Sequence, residues 1–210
     1  MLRITSSTHF GSRCVMPALL QYQRLYPQVT IDLELDNRRT DLTAEGFDLA
    51  VRIGEPTDSW GIARKLCTNH VCLAASPEFL KRHSLINSLS DLTALPAVSY
   101  AAEGLRFAQL EHLDDTGSLR ASPMQIVFWC NNTEALLQAT LAGIGWGCMS
   151  RFLAHEDLVS GRLVQLLPDV RMPPYKSVYV VYGQRELPLR VRLFLEVLES
   201  SVAQWAAWKG

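Results

Sequence analysis

The sequence predicts an α/β fold in which two lobes each carry a sheet covered by helices. Along the 210 residues, segments with the two-residue alternation of strands are followed by segments with helical periodicity, which is typical of parallel sheets covered by helices. A second observation is the strand at residues 71–75, which runs directly into Ser76-Pro77 and a helix. The chain must turn sharply there, as expected where it passes from one lobe to the other. A cleft between two such lobes is a natural site for a small molecule.

The chain begins with a short strand and a helix whose start the sequence leaves open. Residues 2–5 alternate as a strand, and Ser6-Ser7-Thr8 then offers hydroxyl groups for a helix N-cap. Pro17 lies inside the helical pattern that follows, so the helix either begins later or kinks there. The candidate core positions of this helix are Val15, Leu19, Leu20 and Tyr26.

The remaining elements continue the alternation of strands and helices. Residues 29–35 alternate strictly, and residues 178–182 are continuously apolar, which is typical of a strand covered on both faces. Residues 101–122 show little periodicity, so we expect loop with some helix there. The other predicted strands are 49–53, 71–75, 97–100, 125–130 and 144–149. The other predicted helices are a short one at 40–45, one from Pro77, one from 131–134 to a C-cap at Gly143, and a long one from Pro188 to near Trp208.

Composition and charge predict a cytoplasmic globular protein. The formal net charge of −1 at pH 7 argues against nucleic-acid binding by this chain alone, because such proteins usually present a basic face. No apolar run approaches the ~18 residues that a membrane-spanning helix needs. The N-terminus lacks the apolar core of a secretion signal, although a mature secreted chain remains an alternative. Five scattered cysteines, an odd number, predict a reducing compartment.

No motif in the sequence predicts catalysis, a metal site or a cofactor, and we expect none of the three. There is no G-x-S-x-G nucleophile elbow, and the histidines show no i, i+4 pair and no metal-ligand spacing with the cysteines. GIGWG at residues 143–147 follows a helix and leads into a strand, the reverse of the order in a phosphate-binding loop. Cys67 and Cys72 lie five residues apart in what we interpret as one strand, so their side chains point to opposite faces and do not bridge.

Eight blocks of the sequence, in this order and spacing, carry a resemblance to a known family. They are LRITSSTHFGSRCVMPAL, QYQRLYPQVTIDLEL, EGFDLAVRIGEP, ARKLCTNHVCLAASPEFLKRH, DLTALPAV, NNTEALLQATLAGIGWGCMS, LVSGRLVQLLPD and VRLFLEVL. The chain resembles, over nearly its whole length, the effector-binding (regulatory) domain of LysR-type transcriptional regulators. Each block is mostly a fold signature, and it is their joint order that is specific.

The resemblance implies the fold of type 2 periplasmic binding proteins, with two Rossmann-like α/β lobes joined by two crossover strands at residues 74–77 and 181–184. Lobe I would comprise residues 1–75 and 184–210, lobe II would comprise 76–183, and the effector would bind between them. The family also carries an N-terminal winged helix-turn-helix that binds DNA, and we expect this chain to lack it.

Within lobe I, we expect the effector beyond the carboxyl ends of the strands, where ligands bind in open parallel sheets. The first strand ends at Ser6-Ser7-Thr8-His9, where the N–H groups and partial positive charge of a helix N-terminus suit a carboxylate. Ser7, Thr8 and His9 are candidate side-chain donors to it. The alternatives are a plain N-cap for Ser7 or Thr8, a solvated loop position for His9, and a structural ion pair for Arg52. The lobe I candidates are Ser7, Thr8, His9, Arg52, Gly54 and Glu55.

Within lobe II, the candidates follow two strands and one glycine-rich turn. Ser99 and Tyr100 end a predicted strand, and Asn131 and Asn132 start a helix whose N–H groups face the cleft. Trp146 in GIGWG is placed to stack on an aromatic effector. The alternatives are simple capping for Asn132 and core packing for Trp146.

These residues and the resemblance together predict a ligand-sensing domain of a bacterial transcriptional regulator, and not an enzyme. A small, anionic effector would bind between the lobes and rearrange a dimer or tetramer, which would control DNA binding. We expect a homodimer of this domain (a tetramer of the full-length protein) through elements equivalent to residues 15–35 and 133–150. DNA would be contacted only through the absent N-terminal domain, and no membrane partner is expected. The alternatives are a solute-binding protein of the same fold, an oxidant-sensing regulator that uses its cysteines, and an enzyme on a related fold.

Overall fold

The computed structural model describes residues 1–38, 41–55, 61–83, 86–102, 104–173 and 176–206. The chain divides into two compact units. Unit 1 comprises Met1–Asn69 and Lys176–Gly210, and unit 2 comprises His70–Tyr175. No helix in the described ranges is both long and apolar enough to cross a membrane.

Unit 1 contains a five-stranded mixed sheet with the strand order β2-β1-β3-β13-β4. Its strands are β1 (Leu2–Ser6), β2 (Ile31–Leu35), β3 (Leu49–Gly54), β4 (Ile62–Thr68) and β13 (Ser177–Tyr182). Strands β1, β2 and β3 are parallel, whereas β13 runs antiparallel to both β3 and β4. The helices are α1 (Thr8–Phe10), α2 (Met16–Leu25), α3 (Leu42–Glu45) and α8 (Leu189–Ala206), with a π-helical turn at Gly11–Val15 between α1 and α2.

The helices α2 and α8 pack against each other through fully buried aromatic side chains. The rings of Tyr22 and Phe194 meet edge to face with centroids 5.7 Å apart, an arrangement that the aromatic quadrupole favours. The Tyr22 hydroxyl donates to the carbonyl oxygen of Arg190 at 3.0 Å. Leu20 is exposed, so its expected core position is wrong, and Tyr22 occupies the core instead.

The helical stretch from Thr8 to Leu25 passes through Pro17 without ending there. The π-helical turn precedes the proline, and Pro17 lies in the first turn of α2, where a missing N–H costs no α-helical hydrogen bond. Gly11 allows this stretch to approach the sheet, because a Cβ atom at that position would clash with Leu35 Cδ2 and lie 3.1 Å from Ser6 Cβ.

Unit 2 contains a second mixed sheet, with the strand order β10-β6-β11-β5-β12, to which β7 adds beside β6. Its strands are β5 (Val71–Ala75), β6 (Pro96–Ala102), β7 (Leu105–Arg106), β10 (Gln125–Cys130), β11 (Trp146–Ser150) and β12 (Val164–Leu166). Strands β8 (Gln109–Leu113) and β9 (Leu119–Pro123) form a separate hairpin. The helices are α4 (Pro77–Arg82), α5 (Leu89–Thr93), α6 (Thr133–Leu141) and α7 (Arg151–Val159).

Strand β5 divides the core of unit 2 into two apolar clusters. Cys72 packs with Leu136 and neighbouring residues in one cluster, and Leu73 packs with Phe79 and its neighbours in the other. This alternation follows from the two-residue period of a strand. Ser76 caps α4 by accepting the backbone N–H of Phe79 at 3.2 Å, as the sequence predicts for a strand that runs directly into a helix.

The observed pairing differs from the sequence expectations in three places. The sheets are mixed and not purely parallel. The described part of residues 101–122 forms strands β7, β8 and the start of β9, with no helix. Cys67 lies on β4 of unit 1 and Cys72 on β5 of unit 2, so the expectation of one shared strand is wrong.

The unit boundaries also fall several residues before the expected lobe boundaries. Strand β5 pairs with β11 and β12 of unit 2, and β13 pairs with β3 and β4 of unit 1. Strand pairing therefore assigns 71–75 to unit 2 and 177–182 to unit 1. The expected end of the last helix near Trp208 lies outside the described residues.

We predict that Gly145→Ala destabilises unit 2 by about 1–3 kcal/mol, a typical cost of overpacking. A Cβ atom there would lie 2.7 Å from the Pro96 carbonyl oxygen and 3.0 Å from Ala97 Cα, and this backbone belongs to the neighbouring strand β6. Urea unfolding measures the change. The matched control is Gly183→Ala, whose Cβ would meet only the Thr43 hydroxyl, at 3.0 Å, a group that can rotate away. Equal stability of the two variants would contradict the prediction.

Candidate functional site

The carboxyl ends of β1 and β3 form one edge of the unit 1 sheet. The two strands are parallel neighbours, with Ser6 paired to Val51, and the Ser7 N–H donates to the Val51 carbonyl oxygen at 3.2 Å. The helix begins at Thr8, one residue after this pair. The expected candidates Ser7, Thr8 and Arg52 are therefore brought together at this edge.

The hydroxyl groups of Ser6 and Ser7 are the unusual feature of this edge. Ser7 occupies the N-cap position of α1, but its side chain makes no capping hydrogen bond. Both Oγ atoms are buried, and neither has a hydrogen-bond partner among the residues that the structure describes. Because an unsatisfied buried polar group costs about 1–3 kcal/mol, the plain N-cap interpretation of Ser7 does not account for its position.

The first N–H of the helix is already occupied by a neutral side chain. Asn37 Oδ1 accepts the Thr8 N–H at 3.0 Å, and Asn37 itself is exposed just beyond the end of β2. An amide oxygen therefore occupies the position where the sequence analysis expects a carboxylate. Neither Ser6 nor Asn37 was among the effector-binding residues expected from the sequence, where Ser6 was noted only as a possible helix cap.

Two hydrogen bonds of Arg52 go to neutral acceptors of unit 1. Its Nη1 donates to the Asp36 carbonyl oxygen at 2.9 Å and its Nη2 donates to Thr5 Oγ1 at 2.8 Å. Burial lowers the pKa of Arg52, and the nearby carboxylate of Asp36 opposes that shift. These contacts orient the guanidinium group near the sheet edge.

The other unit 1 candidates lie around the same edge. His9 is half-buried in the first helical turn, Gly54 is buried at the end of β3, and Glu55 is exposed directly after it.

In unit 2, Ser99 and Tyr100 lie on β6 opposite Trp129 and Cys130 of β10. Ser99 is buried, and its hydroxyl donates to the Phe107 carbonyl oxygen at 2.6 Å, so this donor is already used inside the unit. Tyr100 is half-buried, and its ring lies 6.1 Å from that of Phe107.

The two candidate asparagines have different roles in the structure. Asn132 is the N-cap of α6, and its Oδ1 accepts the N–H groups of Glu134 and Ala135 at 2.8 and 3.1 Å, which is the capping alternative. Asn131 is exposed and lines a pocket.

Trp146 lies in the core of unit 2 and away from the strand ends where Asn131 lies. Its side chain is fully buried, and its Nε1 donates to the Leu95 carbonyl oxygen at 3.2 Å. It pairs with Ala97, near the start of β6. We therefore omit Trp146 from the candidate site, in agreement with its core alternative.

An open pocket of about 570 Å³ lies at the carboxyl ends of β6 and β10. Arg106 and Trp129 contribute its largest side chains, and neither was among the residues expected from the sequence. The Arg106 guanidinium carbon lies 5.2 Å from the centroid of the Trp129 ring, a cation–π distance. The sequence hints at them only through position. Trp129 lies two residues before the candidate Asn131, and Arg106 follows the strand that carries the candidates Ser99 and Tyr100.

The cysteines do not have the environment of a reactive pair. All five are free thiols, and burial raises the pKa of Cys67 and Cys72 to about 11 and that of Cys148 to about 12. Burial raises the pKa of Cys14 and Cys130 as well. Since oxidants attack the thiolate, these shifts disfavour the oxidant-sensing alternative. Among the described residues, no three His, Cys, Asp or Glu side chains are grouped to hold a metal ion.

Comparison with known proteins connects this fold to one family. The sequence model of the LysR substrate binding domain matches residues 1–203. The regulator DmlR of Escherichia coli K12, an HTH-type transcriptional regulator, is 36% identical over 208 residues, which are 97% of this chain and 66% of DmlR. The regulator PtxR of Pseudomonas aeruginosa is 29% identical over 205 residues, or 97% of this chain and 64% of PtxR. The chain thus spans about two thirds of the length of these relatives.

A solved structure supports the same assignment. The regulatory domain of CrgA, a LysR-type transcriptional regulator from Neisseria meningitidis, superposes with a TM-score of 0.80 at 26% identity and covers 95% of this chain and 97% of that domain. Its class has the two-lobe fold of periplasmic binding proteins, as the sequence resemblance implies. This chain belongs to the LysR substrate-binding domain family.

Proposed function

We propose that this domain senses a small anionic effector for a LysR-type transcriptional regulator, with the effector between the two lobes. The observation that carries the proposal is the pair of buried hydroxyls of Ser6 and Ser7 beside a helix N-terminus, neither of which has a hydrogen-bond partner among the described residues. The chain spans about two thirds of its relatives, so control of DNA binding through a winged helix-turn-helix is part of the proposal.

An anion suits this edge for three physical reasons. Hydroxyl groups can donate to a carboxylate, and such charge-assisted hydrogen bonds are stronger than neutral ones. A helix N-terminus presents N–H donors and a partial positive charge. The oriented guanidinium of Arg52 adds positive charge to the same edge. A carboxylate would replace the Asn37 amide at the Thr8 N–H and supply acceptors for the two serines.

The proposal includes a non-catalytic role in the cytoplasm. Binding would favour one arrangement of a homodimer, or of a tetramer of the full-length protein, and this shift in population would reach the DNA-binding domain. The named relatives that support this role are transcriptional regulators.

A thermal-shift screen against small carboxylates, amino acids and aromatic acids tests the sensing role. A ligand at 100 times its Kd stabilises the folded state by about 2.7 kcal/mol, which is an easily measured shift. Turnover of any hit, followed by mass spectrometry, would contradict the non-catalytic part. If no carboxylate in the screen raises the Tm, the anionic effector is wrong.

We predict that Ser7→Ala weakens binding of a carboxylate hit by about 10-fold or more, because a hydrogen bond to a charged group contributes about 1.5–3 kcal/mol. The same change should leave the free energy of unfolding unchanged or raise it, since the Ser7 hydroxyl has no partner among the described residues. Calorimetric titration and urea unfolding measure the two effects.

The matched control for Ser7→Ala is Asn132→Ala, which removes an N-cap with two hydrogen bonds. It should lower stability by about 1 kcal/mol. If Ser7→Ala behaves in the same way, with lost stability and unchanged affinity, Ser7 is a structural cap and the proposed site is wrong.

We also predict that Leu20→Asp dissociates the proposed homodimer. Leu20 is 51% exposed on α2, and Ile144, in the other proposed interface element, is 48% exposed. A buried carboxylate without a partner opposes association. Sedimentation velocity over a range of protein concentrations measures the change. Val159→Asp is the control, because Val159 is 76% exposed but lies outside both elements. A wild-type domain that stays monomeric at high concentration would contradict the proposal.

A further inference from the structure

The pocket at the ends of β6 and β10 has a cationic wall and an aromatic wall. Arg106 lies on β7 and Trp129 lies on β10. Both of these strands pair with β6. The 5.2 Å separation of the guanidinium carbon from the indole centroid places the arginine over the flat face of the ring. The pocket is therefore built by strand pairing inside unit 2.

Among the described residues of unit 2, none neutralises the charge of Arg106. Among the described residues, no carboxylate lies within salt-bridge distance of Arg106, whereas Arg120 pairs with Asp114 at 2.8 Å and Arg162 with Asp157 at 2.6 Å. The five N–H donors of a guanidinium match the two oxygens of a carboxylate. Stacking on Trp129 leaves the edges of the Arg106 fork available to such a ligand.

Small residues provide the space in front of this pair. Ala101, Ala102 and Gly104 line the same pocket, and a Cβ atom at Gly104 would have nothing within 4 Å. Asn131, which is exposed and lines the same pocket, adds an amide that can donate or accept. The site has room for a small organic molecule beside a flat aromatic wall.

We propose that this pocket recognises a carboxylate with a flat, unsaturated body, held by the Arg106 fork and packed against Trp129. This inference rests on the proposed effector-sensing function and names the ligand class of its unit 2 contribution. In this proposal, Arg106 selects ligands with a carboxylate group and Trp129 selects ligands with a flat body.

The test measures binding of benzoate to the whole domain by calorimetric titration, with two comparison ligands. Benzamide keeps the flat ring without the charge, and cyclohexanecarboxylate keeps the charge without the flat ring. We expect benzoate to bind at least 10-fold more tightly than either. Benzoate should also change the tryptophan fluorescence of the wild-type domain, and Trp129→Phe should remove that change.

Variants of Arg106 test whether binding needs the planar guanidinium group or only its positive charge. Arg106→Gln should weaken benzoate binding at least 10-fold, and Arg106→Lys should restore only part of it, because lysine has charge but no planar fork. Arg120→Gln removes the same charge outside the pocket and should leave the affinity unchanged. Reagent labelling of Cys130, which also lines the pocket, should be slowed by bound benzoate.

Several outcomes would overturn this inference. Absence of benzoate binding, equal binding of benzamide or cyclohexanecarboxylate, or an unchanged affinity in Arg106→Gln would each do so. If benzoate fails while another carboxylate binds in a Ser7-dependent way, the inference is wrong and the proposed function stands. If no carboxylate binds at all, both are wrong.

Discussion

The direct passage of β1 into the first helix is the constraint on which the candidate site depends. Only Ser7 separates the last residue of β1, Ser6, from the first helical residue, Thr8. The parallel pairing of β1 with both β2 and β3 fixes where the strand ends, and Gly11 lets the helix lie close to Ser6 and Leu35. The Ser7 side chain makes no capping hydrogen bond, and the Oγ atoms of Ser6 and Ser7 are both buried without a hydrogen-bond partner among the described residues.

Most strands and helices could be predicted from the sequence where apolar residues alternate or form a continuous run. The strands β3, β5, β6, β10 and β13 and the helices after Ser76 and Asn132 were predicted near their observed bounds. Strand β4 was missed because Arg64 and Lys65 interrupt its apolar pattern with charge. The β8–β9 hairpin was missed because β9 is largely exposed and β8 fully buries only Leu110, so burial imposes little alternation on the two strands. Mixed pairing was not predictable either, since the direction of β13 depends on residues far away in sequence.

Residues of the candidate site could be predicted from the sequence only where they directly follow or end a predicted strand. The rule that ligands bind at the carboxyl ends of parallel strands pointed to Ser7, Thr8 and Arg52 without any contact information. Arg106 and Trp129 required the pairing of β7 and β10 with β6, which brings together residues 23 positions apart (129 − 106). Strand pairing was also needed to see that Trp146 lies beside the start of β6 and not at its end, which favours its core-packing alternative.

The partner-free hydroxyls also bear on how sensing would work. A ligand shifts a conformational equilibrium only by the difference in its affinity for the two states, and typical allosteric coupling is about 1–3 kcal/mol. One unsatisfied buried hydroxyl costs a similar amount. In the proposed function, a carboxylate would accept hydrogen bonds from the hydroxyls of Ser6 and Ser7. It would remove the cost of burying them only in the conformation in which both hydroxyls are buried. In the proposed function, the cost of burying one unsatisfied serine hydroxyl is thus of the size that an effector needs to change the state of the domain.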